Sequence, residues 1–181
     1  MSAVKRYIIT GGPGAGKTTL VEALKQQGYH CFDEVSRQLI AEQVAMNSGC
    51  LPWTDLACFA EKALQRMTDS HRQAACCNGV VFFDRGIPDI IAYLKVAGLP
   101  VVESYYTALQ YHPYCHTVFM LPPWKEIYTN DPERWQTFGE AVAIYNVLKE
   151  TYQALNYTLI EVGKGSVHQR VQQITAIVHA G

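Results

Sequence analysis

Charge of one sign is missing from this chain of 181 residues: 15 Lys and Arg stand against 16 Asp and Glu, a formal net charge of −1. So even a balance leaves no global electrostatic footprint for a polyanion, and nucleic acid is not an expected partner. Long apolar runs are missing too. None approaches the ~18 residues that a membrane span needs, so no membrane partner is expected. Met1-Ser2-Ala3-Val4-Lys5-Arg6 leads into strand-like sequence and not into the apolar core of a signal peptide. The six cysteines (31, 50, 58, 76, 77 and 115) follow no regular spacing. In a chain long enough to bury a core without staples they read as reduced core thiols of a cytoplasmic protein. Internal repeats, low-complexity tracts and interdomain linkers are lacking, which makes residues 1–181 one domain. Oligomeric state is left open.

What is present is a core. Apolar residues make up 49% and charged residues 17%, the balance of a globular protein. Short apolar bursts at Tyr7-Ile8-Ile9, Tyr29–Phe32, Val80–Phe83, Thr117–Leu121 and Thr158–Val162 read as five strands. Val80-Val81-Phe82-Phe83 is apolar on both faces, as in a parallel sheet covered by helices on each side. Between the strands, apolar residues recur at three- and four-residue spacing, most clearly from Leu56 to Met67 and from Phe138 to Leu155. Ser166 and Gln169 form a capping-box pattern that opens a last helix. The alternation predicts a three-layer α/β domain. Segment 33–78 is too helical for a simple crossover and reads as an excursion on one side of the sheet.

Gly11-Gly12-Pro13-Gly14-Ala15-Gly16-Lys17-Thr18 satisfies G-x-x-x-x-G-K-[ST], the Walker A pattern, between a strand and a helix. Glycines let a backbone wrap a polyphosphate with its N–H groups inward, and the helix N-terminus adds partial positive charge. Gly12 through Thr19 are the expected nucleotide-binding residues. Lys17 would reach the β- and γ-phosphates, and Thr18 would ligate Mg²⁺. The alternative at this position is an ordinary glycine-rich turn with a solvated lysine.

Asp84 ends the most apolar strand, and ligands in such sheets bind beyond the carboxyl ends of the strands. It is expected to hold Mg²⁺ through water or to orient an acceptor hydroxyl. Arg85 would contact a substrate anion or pair with a neighbouring acid; a helix-capping Asp and a surface Arg are the plainer reading. Glu34 and Arg37, three apart at a helix start, can face one cleft, with Glu34 accepting a proton and Arg37 fixing the acceptor. Segment 122–136, polar and aromatic between a strand and a long helix, suits a lid that excludes water, with Arg134 as its cation. His112-Pro113-Tyr114-Cys115-His116 is not read as a metal site, because Pro113 breaks helical spacing and no second ligand pair stands nearby.

Three stretches together carry a resemblance: GGPGAGKTT (11–19), FDRGIPD (83–89), and Leu121-Pro122-Pro123-Trp124 followed by Asp131-Pro132-Glu133-Arg134. Across roughly residues 5–178 the chain resembles the small AAA-type predicted ATPases, which are similar to P-loop nucleoside and nucleotide kinases, including the nicotinamide-riboside kinase domain. The resemblance implies a five-stranded parallel sheet in the order 2-3-1-4-5 and a Mg-nucleotide site. It also implies Glu34 and Arg37 on the acceptor side and Arg134 as the lid arginine, although Trp135 stands where many such kinases carry another arginine.

The expected activity is ATP-dependent transfer of a γ-phosphoryl group to a nucleoside, nucleotide or similar metabolite, with GTP as an alternative donor. Lys17, Asp84, Glu34 and Arg134 are the expected catalytic residues. Arg37, Arg85 and Glu34 are expected to bind the acceptor, and Thr18 and Asp84 the metal. A slow ATPase or GTPase that switches a protein partner is the alternative, though no Asn-Lys-x-Asp base-specificity motif is present.

Overall fold

The structure, a computed structural model, describes residues 4–128 and 136–180. Five strands, β1 (Lys5–Gly11), β2 (His30–Phe32), β3 (Val80–Asp84), β4 (Thr117–Leu121) and β5 (Thr158–Glu161), pair in the order β2-β3-β1-β4-β5. Every pairing is parallel. Parallel neighbours require crossovers, which the helices supply: α1 (Lys17–Gln26), α2 (Val35–Ala45), α3 (Leu56–Gln73), α4 (Ile87–Val96), α5 (Glu103–Tyr111), α6 (Phe138–Ala154) and α7 (Val167–Ala180).

The two-residue period of the strands sorts the core into two halves. Ile8, Val81, Phe83, Val118 and Met120 point to one face and pack with Ile87, Ile91, Leu148 and Tyr152 of α4 and α6. Tyr7, Ile9, Phe82, Phe119 and Leu121 point to the other, against Leu20 and Leu24 of α1 and Val171 and Ile174 of α7. Helices on both faces explain why the central strands are apolar throughout. The register sets Ile9 beside Asp84 and Gly11 beside Leu121, so β1, β3 and β4 end at one edge of the sheet.

The capping box read from Ser166 is present at the start of α7: Gln169 Oε1 accepts from the Ser166 amide at 3.0 Å, and Ser166 Oγ accepts from the Gln169 amide at 3.2 Å. Segment 33–78 is helical as expected, carrying α2 and α3. The cysteines depart from expectation. Cys50 and Cys58 form a disulfide, with Cα atoms 5.4 Å apart, and Cys76 is exposed. The loop after α2 turns back at Cys50 onto the first turn of α3, a tertiary contact that sequence spacing does not announce. No helix among the described residues is long and apolar enough to cross a membrane. Of segment 122–136, Lys125–Ile127 forms a short 3₁₀ turn, while residues 129–135, Arg134 among them, lie outside the described residues.

Candidate functional site

At the end of β1 the chain enters the glycine-rich loop and leaves it as α1. Gly14 and Gly16 have φ of 72° and 82°, a left-handed conformation that costs a side-chain-bearing residue about 1 kcal/mol or more. A Cβ on Gly14 would also lie 2.5 Å from the Tyr128 ring. Gly16 stands at the N-cap of α1 with no side-chain hydrogen bond to the helix, which leaves its first amides to an anionic ligand. Lys17 is buried, and its Nζ donates to the carbonyls of Gly12 (3.1 Å) and Gly11 (3.2 Å). Burial, reinforced by the nearby Arg85 cation, lowers its pKa to about 8, against the opposing pull of Glu34, Asp84 and Asp89.

Opposite the loop, β3 delivers Asp84 and Arg85. Arg85 has φ of 73°, a strained backbone for a long side chain, held by its amide donating to Ile9 O at 3.0 Å. Its buried guanidinium serves several partners through Nε and Nη1. Nε donates to Glu34 Oε1 at 2.8 Å, Nη1 donates to Asp89 Oδ1 at 3.1 Å and to Gly11 O at 3.3 Å, and the group lies 5.4 Å from the centre of the Tyr93 ring. Burial by itself would raise the Glu34 pKa, but the Arg85 and Lys17 cations override it and bring it down to about 2. Asp84 goes the other way. Burial, aided by the Glu34 charge, raises its pKa to about 6, and its Oδ1 has no hydrogen-bond partner. A buried carboxylate oxygen left unpaired, within the field of the Lys17 ammonium, fits a divalent cation held through oxygen or water.

Lys17, Glu34, Arg85 and Asp89 line one cleft of about 920 Å³. Of the predicted nucleotide residues, Pro13 through Thr19 line it, while Gly12 is buried beneath and serves Lys17 with its carbonyl. Glu34 and Arg37 both line the cleft, as their three-residue spacing allows, and Arg85 lines it as well. Arg37 is exposed, while Asp84 is buried and does not line the cleft. The expectation that Arg85 would pair with a neighbouring acid is met twice over, by Glu34 and by Asp89.

The AAA domain family AAA_28 matches residues 6–170. The chain belongs to this family. Within it, 97 residues are 28% identical to a Thermoplasma volcanium protein named "Putative adenylate kinase", a match that covers 50% of this chain and 59% of that protein. Among solved structures, the deoxyadenosine kinase of M. mycoides superposes with a TM-score of 0.67 at 16% identity, covering 97% of this chain and 100% of that one. NadR in complex with NR superposes at 0.70 and 18% identity, over 97% of this chain and 51% of that one. Thymidylate kinase from Candida albicans superposes at 0.63 and 13% identity, over 99% and 93%. This AAA-domain chain therefore has the α/β fold of the P-loop kinases.

Sequence reasoning missed three contributors to the AAA-domain site. Asp89, nearly fully buried, accepts from Thr10 Oγ1 (2.5 Å), Tyr152 Oη (2.5 Å), the Gly86 amide (2.9 Å) and Arg85. Its signal was present: it stands four residues after Arg85 and three after Gly86, on the first turn of α4. Tyr152 comes from α6, 63 residues away, and no local pattern reveals it. Arg170 reaches from α7 to the loop, where its Nη2 donates to Ala15 O at 3.2 Å and its guanidinium lies 5.7 Å from the Trp124 ring centre.

Proposed function

We propose that this AAA-domain protein is a Mg²⁺-dependent cytoplasmic kinase that transfers the γ-phosphoryl group of ATP, or of GTP, to a small-molecule acceptor. It acts as one domain over residues 1–181, with segment 33–78 on the acceptor side and segment 122–136, including Arg134, as a lid. The observation that carries this reading is the continuity of the cleft: the lysine of the phosphate loop and the Glu34 carboxylate line the same cavity, with Arg85 between them. A switch that only hydrolyses nucleotide has no use for a chamber extending past the phosphate loop into α2, α3 and α4.

The loop amides and Lys17 bind the phosphates and stabilise charge on the transferring group. When bound, Mg²⁺, held by Thr18 and Asp84, would offset phosphate charge. Glu34, kept ionised by its cations, is a permanent hydrogen-bond acceptor that orients the acceptor and takes the proton of an attacking hydroxyl. Arg85 fixes Glu34, Arg37 guides the acceptor at the rim, and Arg134 would serve the transferring charge from the lid.

Glu34→Gln keeps the shape and removes the base. Turnover is expected to fall by about 10²–10⁴-fold, with MgATP affinity within threefold of the parent. Unchanged turnover in that variant excludes Glu34 from the reaction.

A further inference from the structure

Past Glu34 the cleft changes character. Leu56, Phe59, Ala60, Ala63 and Met67, one face of α3, line it together with Ile40 of α2 and with Ile90 and Leu94 of α4. Among the described residues, the charged side chains on this side, Glu34, Arg37 and Arg85, stand at the end nearest the phosphate loop or at the rim, and Asp89 is consumed by its four donors. A phosphate brought into the interior would need cations there. Nε and Nη1 of Arg85 already serve Glu34, Asp89 and Gly11, and an entering dianion would lie against the Glu34 carboxylate. Detaching Arg85 would leave the buried Asp89 and the part-buried Glu34 without their shared cation.

We propose that the acceptor is an uncharged alcohol whose hydroxyl meets Glu34 and whose apolar body packs against α3, and not a phosphate ester. This rests on the kinase reading above and narrows it. The acceptor oxygen bonds to the γ-phosphorus as the bond to the β–γ bridging oxygen breaks. The hydroxyl proton passes to Glu34, and the nucleoside diphosphate leaves. The cleft volume of about 920 Å³ has room for a triphosphate tail together with such a body.

The test uses the full chain with N-phenyl-1-naphthylamine, a neutral fluorophore that brightens in apolar sites, and a matched pair of competitors, 2-naphthylmethanol and 2-naphthylmethyl phosphate. The alcohol is expected to displace the probe at a concentration at least tenfold lower than the ester. Ile40→Asp and Leu56→Asp, both at half-buried positions, are expected to weaken the probe at least tenfold, Ile40→Leu less than threefold. Affinity for a fluorescent ATP analogue should stay within twofold in all three, which also certifies that they fold. The proposal is overturned if the wild type does not bind the probe, if the ester competes as well as the alcohol, or if both aspartate variants bind the probe like the parent. Failure of the ATP analogue to bind the wild type would instead sink the kinase reading, while the competition between alcohol and ester still decides the character of the pocket.

Discussion

Replacing Asp89 with alanine removes the common acceptor of four donors that come from β1, the β3–α4 junction and α6. The Tyr152 and Thr10 hydroxyls are both fully buried and would each be left unpaired, at about 1–3 kcal/mol apiece. Arg85 would lose one of its two acids but keep Glu34 and Gly11 O, so the buried-charge penalty of about 3–5 kcal/mol applies only in part. Because the terms share one site they do not add fully, and a net loss of about 4 kcal/mol is expected. At about 2–4 °C per kcal/mol for a chain of this size, the melting temperature should drop by about 8–16 °C. Urea titration with an unchanged m-value is the measurement. Tyr152→Phe in the parent should cost about 1 kcal/mol, and close to nothing in the Asp89→Ala background. A loss below about 1 kcal/mol for Asp89→Ala, or additive behaviour of the two changes, would show that the network does not hold the β3–α4 junction together.

Further outcomes follow from Asp84 and Lys17 and from the Cys50–Cys58 bond. Asp84, raised to about 6 from its ordinary 3.8, favours folding below pH 3.8, and that contribution is lost as pH rises through about 6. Below about pH 6 a proton competes with metal at Asp84, and Lys17 of the empty protein loses its charge above about 8, so kcat/KM should fall off on both sides of that range, with Glu34 ionised throughout. A profile flat from pH 5 to 7 would contradict this assignment of Asp84. The Cys50–Cys58 bond predicts that alkylation in denaturant tags four thiols before reduction and six after, read by intact mass. Closing so short a loop should stabilise the oxidised chain by about 2–3 kcal/mol over the Cys50→Ser/Cys58→Ser variant, and equal melting temperatures would refute that.

The sheet was legible in the sequence because a parallel, doubly covered strand has a distinctive signature. Val80–Phe83 and Thr117–Leu121 are apolar without alternation and end at an acid or a proline pair, and they became β3 and β4. The phosphate loop was legible because its glycines and lysine are contiguous. Glu34 and Arg85 were each recognised from a strand end, but their bond spans 51 residues and becomes visible only once β2 and β3 lie side by side. Asp89 was legible only as a helix-start acid, since its partners Thr10 and Tyr152 lie 79 and 63 residues away. The disulfide escaped because Cys50 and Cys58 look no different in sequence from Cys76 and Cys77. What brings the first pair together is the turn of the loop between α2 and α3.

The central claim is that the loop ending in Lys17 and Thr18 cradles a triphosphate together with a cation near Asp84. Isothermal titration of the full chain with ATP, in the presence and absence of Mg²⁺, tests it most directly. The account predicts saturable binding that strengthens with Mg²⁺ and weakens at least tenfold in Lys17→Ala, whose melt should show it folded. Lys17→Ala binding ATP as the wild type does, or no heat from folded wild type at millimolar nucleotide, would contradict it.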